Sequence, residues 1–238
     1  MNSFDLSPGR VIARKYEIIT RLGSGWEGEV YKIAELSTGI EYAAKFFFPT
    51  RNINNRTVVA YARKLHQLQD CAIVIKYHTQ ETIQWRGQSI SVLISNYVEG
   101  QLLSEYLDNI SGKRLAPFQA THLLHALVVG LESMHFHGHY HGDLHTENIM
   151  VCRAGLSYDL KVLDLFEPGG RKRDNIANDL CDAIRIYYDA LGGAPRYSGH
   201  PAQAREICCG LKRSLILRKF PSASALRLHL EALDWQDE

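Results

Sequence analysis

The stretch that decides the fold is Tyr140-His141-Gly142-Asp143-Leu144-His145-Thr146-Glu147-Asn148-Ile149. Its polar residues follow the spacing H-x-D-x-x-x-x-N. Twenty-one residues after Asp143 the chain reads Leu163-Asp164-Leu165-Phe166, directly behind the apolar residues Leu160 and Val162. An aspartate, an asparagine five positions later and a second aspartate after an apolar strand form an ordered set. The function that this set indicates depends on the motifs that precede it in the chain.

A glycine-rich segment lies in the amino-terminal third of the chain. Gly23-Ser24-Gly25-Trp26-Glu27-Gly28-Glu29-Val30 fits the pattern G-x-G-x-x-G-x-V. A dinucleotide-binding fold shares the first six positions, but there the glycines must open a helix. Here strand composition surrounds the glycines, and residues 11–22, 29–34 and 40–48 are predicted strands. The segment is therefore predicted to be a hairpin turn, which is either a phosphate-covering loop or an ordinary glycine-rich turn.

The order of these motifs along the chain resembles that of the protein-kinase-like superfamily. Ala43-Ala44-Lys45, in the third predicted strand, stands where kinases carry V-A-I-K. Asn96-Tyr97-Val98-Glu99-Gly100 is similar to a kinase hinge, and Asp179 stands where kinases place an aspartate that holds the catalytic-loop backbone. Lys219-Phe220-Pro221-Ser222-Ala223 is similar to the R-F-P-S-A turn before the last kinase helix. The resemblance covers about residues 16 to 230.

The resemblance implies ATP and Mg²⁺ as cofactors and a role for each matched residue. Asp143 would accept the proton of the attacking hydroxyl, with Lys45 and His145 as the other catalytic side chains. Asn148 and Asp164 would bind Mg²⁺. The residues implied in nucleotide binding come from the glycine-rich segment, the third strand and the hinge: Gly23, Gly25, Gly28, Val30, Ala43, Lys45, Asn96, Tyr97 and Val98.

The expected fold class is α+β, a two-lobed protein-kinase-like fold with a small β-rich amino-terminal lobe and a mainly helical carboxy-terminal lobe. The expected organisation is an extension at 1–10, an amino-terminal lobe at 11–95, a hinge at 96–100 and a carboxy-terminal lobe at 101–238. Residues 58–68 are predicted to be helical, and residues 72–77 and 90–95 are predicted strands. Apolar residues at helical spacing predict two long helices, one opened by Pro117 and one around residues 180–191, and a shorter helix over 222–233.

The kinase pattern is broken at several positions. Between Lys45 and Glu81 the chain has no glutamate and only Asp70 as an acid, so the expected first-helix partner of Lys45, near Ala62, is missing. Glu27 or Asp164 is proposed to take its place. Gly142 and His145 replace the usual arginine and lysine of the catalytic loop, and D-F-G has become D-L-F. Only fourteen residues separate Asp164 from Asp179, and that interval has no A-P-E sequence.

These departures leave three functions open. The first is an active, atypical bacterial-type Ser/Thr protein kinase. The second is a small-molecule kinase, because H-G-D-L-H is similar to the loops of aminoglycoside, choline and methylthioribose kinases. The third is a pseudokinase that binds nucleotide and serves as a partner-binding module. A zinc site at His135, His137, His139, His141 and His145 is a weaker alternative, because these residues fall where a helix ends and a loop begins.

Composition limits the partners and the compartment. A formal charge of +1 gives no sign of nucleic-acid binding, and 45% hydrophobic with 22% charged residues suits an ordinary globular core. Five cysteines without a C-x-x-C pair are typical of reduced thiols, and no apolar run is long enough to span a membrane. We therefore expect a cytoplasmic protein whose partners are ATP and an unidentified hydroxyl acceptor, either a folded protein or a small molecule.

Overall fold

The computed structural model describes residues 3–155 and 157–233. The outer ends of the predicted 1–10 extension and 101–238 lobe, and Leu156, lie outside the described residues. The chain divides into two compact units. Unit 1 contains the described residues up to Asp70 together with 75–98, and unit 2 contains 71–74 and the described residues from Glu99 onward. The division falls between Val98 and Glu99, inside the segment predicted as a hinge.

Unit 1 is a six-stranded antiparallel sheet with one long helix. The strand order is β1-β2-β3-β4-β6-β5. The strands are β1 (Val11–Ile12), β2 (Tyr16–Ser24), β3 (Gly28–Glu35), β4 (Glu41–Phe47), β5 (Tyr77–Trp85) and β6 (Gln88–Asn96). The helix is α1 (Arg56–Gln67), close to the predicted 58–68.

Side-chain alternation sorts β2, β3 and β4 into two faces. On β3, Tyr31 and Ile33 are buried while Val30 and Lys32 are half-buried. On β4, Phe46 is buried on the same face as Tyr31, with which its ring makes an edge contact at a centroid distance of 5.2 Å. The register pairs Val30 with Lys45, so these two side chains share the opposite face. The sheet thus has an apolar core on one face and the candidate nucleotide residues on the other.

Unit 2 is mainly helical and carries a three-stranded sheet in the order β7-β8-β9. The strands are β7 (Gln101–Leu102), β8 (Ile149–Ala154) and β9 (Ser157–Val162). The helices are α2 (Leu103–Asn109), α3 (Pro117–Phe136), α4 (Lys172–Ala190), α5 (Ala202–Cys208), α6 (Arg213–Lys219) and α7 (Ala223–Glu231). No helix in the described part of the chain is long and apolar enough to cross a bilayer.

The helix boundaries follow the sequence signals. Pro117 occupies the first turn of α3, where its missing N–H costs no hydrogen bond. Ser222 caps α7, its hydroxyl accepting from the backbone N–H of Ala225 at 3.1 Å. Gly192 follows the last residues of α4 with φ of +97°, a backbone conformation that ends a helix without strain only for glycine. A strand-rich unit followed by a helical unit confirms the predicted α+β class.

The predicted strand over 72–77 is wrong. Only Val74 makes a β-bridge, in parallel with Val162, and β5 begins at Tyr77. Ile73 instead packs closely against α3, where a Cβ added at Gly130 would lie 2.4 Å from Ile73 Cδ1. The short apolar run 71–74 therefore belongs to the core of unit 2, because a run of this length suits a buried loop segment as well as a strand.

Candidate nucleotide-binding and phosphotransfer residues

The glycine-rich segment forms the turn between β2 and β3. Gly25 N donates to Gly28 O at 2.9 Å, which closes the turn. Gly28 has no room for a side chain, since an added Cβ would lie 1.9 Å from Phe46 O. Gly23 and Gly25 are different, because a Cβ on either would meet no described atom within 4 Å. At the tip of the turn, the guanidinium of Arg51 stacks on Trp26, 3.2 Å from the ring centroid.

Lys45 is paired with a glutamate of the glycine-rich turn. Its Nζ lies 2.8 Å from Glu27 Oε2, and the two side chains are 11% and 28% exposed. The ammonium also lies over the rings of Phe47 and Tyr61, at centroid distances of 5.4 and 5.0 Å. Glu27, one of the two partners put forward from the sequence, lies within ion-pair distance of Lys45.

Helix α1 contributes a tyrosine to Lys45 where a glutamate was expected. Tyr61, one residue before the expected position at Ala62, is buried beneath the ammonium. A ring face attracts a cation by its quadrupole, but it places no negative charge beside it. The sequence analysis missed Tyr61, although its aromatic side chain on the predicted helix, next to the vacant acidic position, was a usable signal.

The remaining candidate nucleotide residues lie on the face of unit 1 that carries Lys45, or at the end of β6. Val30 and Ala43 are half-buried on the face that carries Lys45, where Val30 pairs with Lys45 and Ala43 pairs with Lys32. Asn96 ends β6, and Tyr97 and Val98 follow it outside the strand ladder. Lys32 Nζ lies 4.4 Å from the Tyr97 ring centroid. Unit 1 thus places Val30, Ala43 and Lys45 on one face of the sheet.

In unit 2 a buried carboxylate fixes the backbone that precedes Asp143. Asp179, on α4, accepts from His141 N at 2.7 Å through Oδ2 and from Gly142 N at 3.0 Å through Oδ1. His135 Nε2 lies 3.1 Å from Asp179 Oδ2. This is the contact that the sequence analysis expected of Asp179. Asp179 is fully buried, so breaking one of these contacts would leave its charge without a partner in a site that water does not reach. The carboxylate therefore holds its donors rigidly.

His141 braces the loop from inside. Its imidazole is completely buried, with Nε2 2.8 Å from Leu163 O and Nδ1 accepting from Asp143 N at 3.2 Å. The carbonyl oxygen can only accept, so Nε2 carries the proton and Nδ1 is free to accept. The ring therefore ties the residue before Asp164 to the backbone of Asp143.

Asp143, His145 and Asn148 lie together after this brace. The Asp143 side chain is 60% exposed, with Oδ2 3.7 Å from His145 Nε2. Asn148 is buried, and its Nδ2 donates to Asp143 O at 2.9 Å. The same Nδ2 lies 2.9 Å from His145 Nε2. With the amide nitrogen directed at these groups, Oδ1 is the Asn148 atom left to bind a cation.

Asp164 is brought next to Asn148 by the β8–β9 hairpin. The ladder pairs Ile149 with Val162 and is continued by Leu163 N, which donates to Asn148 O at 2.8 Å. Asp164 follows with φ of +51°, a left-handed conformation that Asp adopts more readily than most residues, and its side chain is exposed. Two oxygen-bearing side chains therefore leave adjacent strand ends.

The D-L-F segment explains why residue 142 is glycine. Phe166 N donates to His141 O at 2.8 Å, which draws the segment against the loop before Asp143. Gly142 has φ of +88°, and a Cβ there would lie 2.4 Å from Phe166 O. The two departures from the kinase pattern are thus linked, because the loop can approach the Phe166 carbonyl only without a side chain at 142.

A further carboxylate, Asp182, lies near these groups and was missed from the sequence. Burial, and after it the charges of Asp179 and Asp143, raise the pKa of Asp182 to about 6 against the opposing charges of Arg213 and His145. Asp182 follows Asp179 by three residues on α4, so the i, i+3 spacing already placed both on one helix face. The region around Asp143 therefore concentrates negative charge.

The histidines considered as zinc ligands are engaged elsewhere. His137 Nδ1 lies 2.8 Å from Ser133 O, His135 contacts Asp179, and His141 contacts Leu163 O. Among residues 3–155 and 157–233, no group of three or more His, Cys, Asp or Glu is placed to hold a metal ion as a cluster. The geometry does not support a zinc site.

Comparison with known proteins gives a family match for most of the chain. Residues 16–166 match the protein kinase domain family. Death-associated protein kinase 2 of Homo sapiens is 30% identical over 152 residues, which cover 63% of this chain and 40% of that protein. The probable serine/threonine-protein kinase PknB of Corynebacterium glutamicum is 28% identical over 206 residues, 82% of this chain and 30% of that protein. The chain spans less than half the length of these curated relatives.

The solved structures give the same fold. The kinase domain of Mycobacterium tuberculosis PknI superposes with a TM-score of 0.68 at 16% identity, covering 95% of this chain and 98% of that chain. A double mutant of that domain gives a TM-score of 0.67 at 17% identity. At this identity the likeness bears on fold alone, and it confirms the predicted two-lobed arrangement of a strand-rich and a helical part.

Proposed function

Since the chain belongs to the protein kinase family, we propose that it is an ATP- and Mg²⁺-dependent phosphotransferase, an atypical Ser/Thr protein kinase that transfers the γ-phosphate of ATP to a hydroxyl. The observation that carries the proposal is the arrangement around Asp143. An exposed carboxylate follows a backbone that Asp179 and His141 hold rigidly, and Asn148 and Asp164 leave adjacent strand ends beside it. A rigid general base with neighbouring oxygen ligands is what phosphoryl transfer requires.

In this proposal Asp143 orients the acceptor hydroxyl and takes its proton. Its exposure leaves the carboxylate open to an acceptor, and its backbone is held by the buried His141 ring and by Asn148. His145, whose Nε2 is 3.7 Å from Asp143 Oδ2 and 2.9 Å from Asn148 Nδ2, would help to position the base next to the asparagine. General-base assistance of this kind is commonly worth about 10²–10⁴-fold in rate.

The donor set of unit 2 fits Mg²⁺. Asn148 offers Oδ1, since its Nδ2 is directed at Asp143 O, and Asp164 offers an exposed carboxylate. Mg²⁺ takes oxygen ligands and is usually held by one or two protein side chains together with substrate phosphates. When bound, the ion would neutralise charge on the transferred phosphoryl group. Asn148 and Asp164 would hold it there.

Unit 1 would supply the phosphate contacts. Lys45 presents an ammonium from β4, held by Glu27, and the glycine-rich turn offers backbone N–H groups. Gly23 and Gly25 leave space that no described atom requires, so a ligand can approach the backbone there. Tyr97 and Val98 have backbone groups outside the strand ladder, as hydrogen bonding to adenine would need. In this reading Glu27 replaces the first-helix glutamate of other kinases.

A small-molecule kinase is the second candidate, supported by the brevity of the segment after Asp164. Helix α4 begins at Lys172, and only residues 167–171 separate it from Phe166. A segment of this length offers little backbone on which to lay an extended peptide. The acceptor is therefore either a folded protein recognised by other surfaces or a small hydroxyl compound.

One experiment tests the proposal and separates its alternatives. The purified chain is incubated with γ-labelled ATP and Mg²⁺, with and without a cell extract divided into protein and small-molecule fractions. Mg²⁺-dependent label in protein supports the Ser/Thr kinase, and label in a metabolite supports the second candidate. Nucleotide binding without transfer to either fraction would instead identify a pseudokinase and overturn the proposal.

A further inference from the structure

A buried carboxylate that the proposed reaction does not use stands directly after the glycine-rich turn. Glu29 is completely buried at the start of β3. It accepts from Tyr31 Oη at 2.6 Å, Phe4 N at 3.1 Å and Ser3 Oγ at 2.9 Å, and it pairs with Arg21 Nη2 at 2.9 Å. A buried charge is tolerated only when it is fully hydrogen-bonded, so each of these donors stabilises the strand that Glu29 begins.

Two of the four donors belong to the N-terminal strap, which we define as residues 3–6. Phe4 is fully buried, stacks on Phe48 with centroids 5.2 Å apart, and tilts against Phe46 at 5.8 Å. Leu6 N donates to Tyr31 Oη at 3.2 Å. Predicted as part of an extension, the strap instead packs into the core of unit 1.

The charge of Glu29 makes the strap and the strand dependent on each other. Burial by itself raises the pKa of Glu29, but hydrogen bonds from Tyr31, Phe4 and Ser3 and the charge of Arg21 bring it below its ordinary value. The carboxylate is therefore ionised at neutral pH. If the strap leaves, Glu29 loses two of its four described donors, which weakens the contacts that hold the start of β3.

The residues beneath the strap also hold the glycine-rich turn. Phe48 N donates to Glu27 O at 2.8 Å. Phe46 O lies so close to Gly28 that no side chain fits there. Phe46 and Phe48 thus pack on Phe4 through their rings and contact Gly28 and Glu27 through their backbones. Glu27 in turn forms the ion pair with Lys45.

We propose that the N-terminal strap positions the glycine-rich turn, through Glu29 on one side and through Phe46 and Phe48 on the other. Glu27 and Glu29 flank Gly28. Glu27 ties the turn to Lys45, and Glu29 ties it to the strap. With the strap docked, the turn and Lys45 are pre-organised for a ligand. With it detached, the turn moves more freely and nucleotide binds more weakly, a consequence that rests on the proposed function.

The test uses Ser3→Ala, Phe4→Ala and Glu29→Gln in the full chain. Asp5→Asn is the matched control, because Asp5 lies within the strap but is exposed. The first readout is amide hydrogen exchange of residues 23–28 in nucleotide-free protein, and the second is the dissociation constant for MgATP. We expect several-fold faster exchange and about tenfold weaker binding in Phe4→Ala and Glu29→Gln, a smaller change in Ser3→Ala, and none in Asp5→Asn.

The two readouts keep the two proposals separate. Unchanged exchange of the turn in folded Ser3→Ala and Phe4→Ala protein overturns the positioning role, whatever the nucleotide affinity. Absence of MgATP binding in the wild-type chain would contradict the proposed function, and the exchange measurement would still decide the role of the strap. If Phe4→Ala fails to fold, Ser3→Ala, which removes one hydroxyl, decides alone.

Discussion

The pair between Lys45 and Glu27 makes a quantitative prediction about nucleotide affinity. Glu27→Gln keeps the size of the side chain and removes its charge. A lysine released from a fixed partner regains about 1–2 kcal/mol of rotamer freedom, which binding has to remove again. Because about 1.4 kcal/mol corresponds to a tenfold change in affinity, MgATP should bind roughly 5- to 30-fold more weakly. The rings of Phe47 and Tyr61 still confine the ammonium, so the upper figure is a limit.

Calorimetric titration with MgATP measures this effect directly. Glu41→Gln is the matched control, because Glu41 forms an ion pair of the same 2.8 Å length with Lys32 in the same sheet. A double-mutant cycle with Lys45→Met isolates the coupling between Lys45 and Glu27. Affinity that is unchanged or higher in Glu27→Gln would refute the reasoning, since Glu27 would then be a bystander or a competitor of the phosphates.

Three further predictions follow from unit 2. Asp182→Asn should raise the free energy of unfolding at pH 7 by at most about 3 kcal/mol, because a carboxyl with a pKa of about 6 instead of 3.8 resists ionisation in the folded state. Between about pH 4 and 6 the Asp182 carboxyl binds a proton in the folded state but not in the unfolded state. The added stability of Asp182→Asn, measured by denaturant titration, should therefore vanish below about pH 4. Added stability that persists below that pH would show that the raised pKa of Asp182 is not its cause. Gly142→Ala should destabilise the fold by about 1–3 kcal/mol and lower turnover, because a Cβ would meet Phe166 O at 2.4 Å; wild-type stability and rate would show that the loop is not crowded. Residues 165–178 contain no Ser, Thr or Tyr, so phosphatase treatment should leave the activity unchanged. The prediction would be contradicted if phosphatase treatment abolished the activity of a protein whose only phosphorylated residues contact this segment.

Most of the fold could be predicted because its signals are local and ordered. The glycine-rich hairpin, the helix α3 and the capped helix α7 each follow from periodicity and end signals, whereas α4 begins at Lys172, before the predicted 180–191. The order of the motifs along the chain then predicted that these elements belong to one two-lobed kinase-like fold. The predicted strand at 72–77 failed, because a short apolar run does not reveal which core will bury it.

The candidate site could be predicted in its residue types but not in its contacts. The resemblance to the kinase motifs implied Asp143, Asn148 and Asp164, and the lack of an acid near Ala62 led to Glu27 or Asp164 as the proposed partner of Lys45. The ion pair between Lys45 and Glu27 was found from the geometry of the turn. Burial of Phe4 against Phe48 depends on a contact between residues far apart in sequence, which no local pattern encodes.

The central claim is that Asp143 performs chemistry while Asp164 holds the nucleotide's metal. The most direct measurement compares Asp143→Asn and Asp164→Asn for both phosphoryl transfer from labelled ATP and Mg²⁺-dependent ATP affinity. We predict that Asp143→Asn lowers transfer by about 10²–10⁴-fold with nearly unchanged affinity, whereas Asp164→Asn weakens Mg²⁺-dependent binding itself. Equal transfer by wild type and Asp143→Asn would contradict the account.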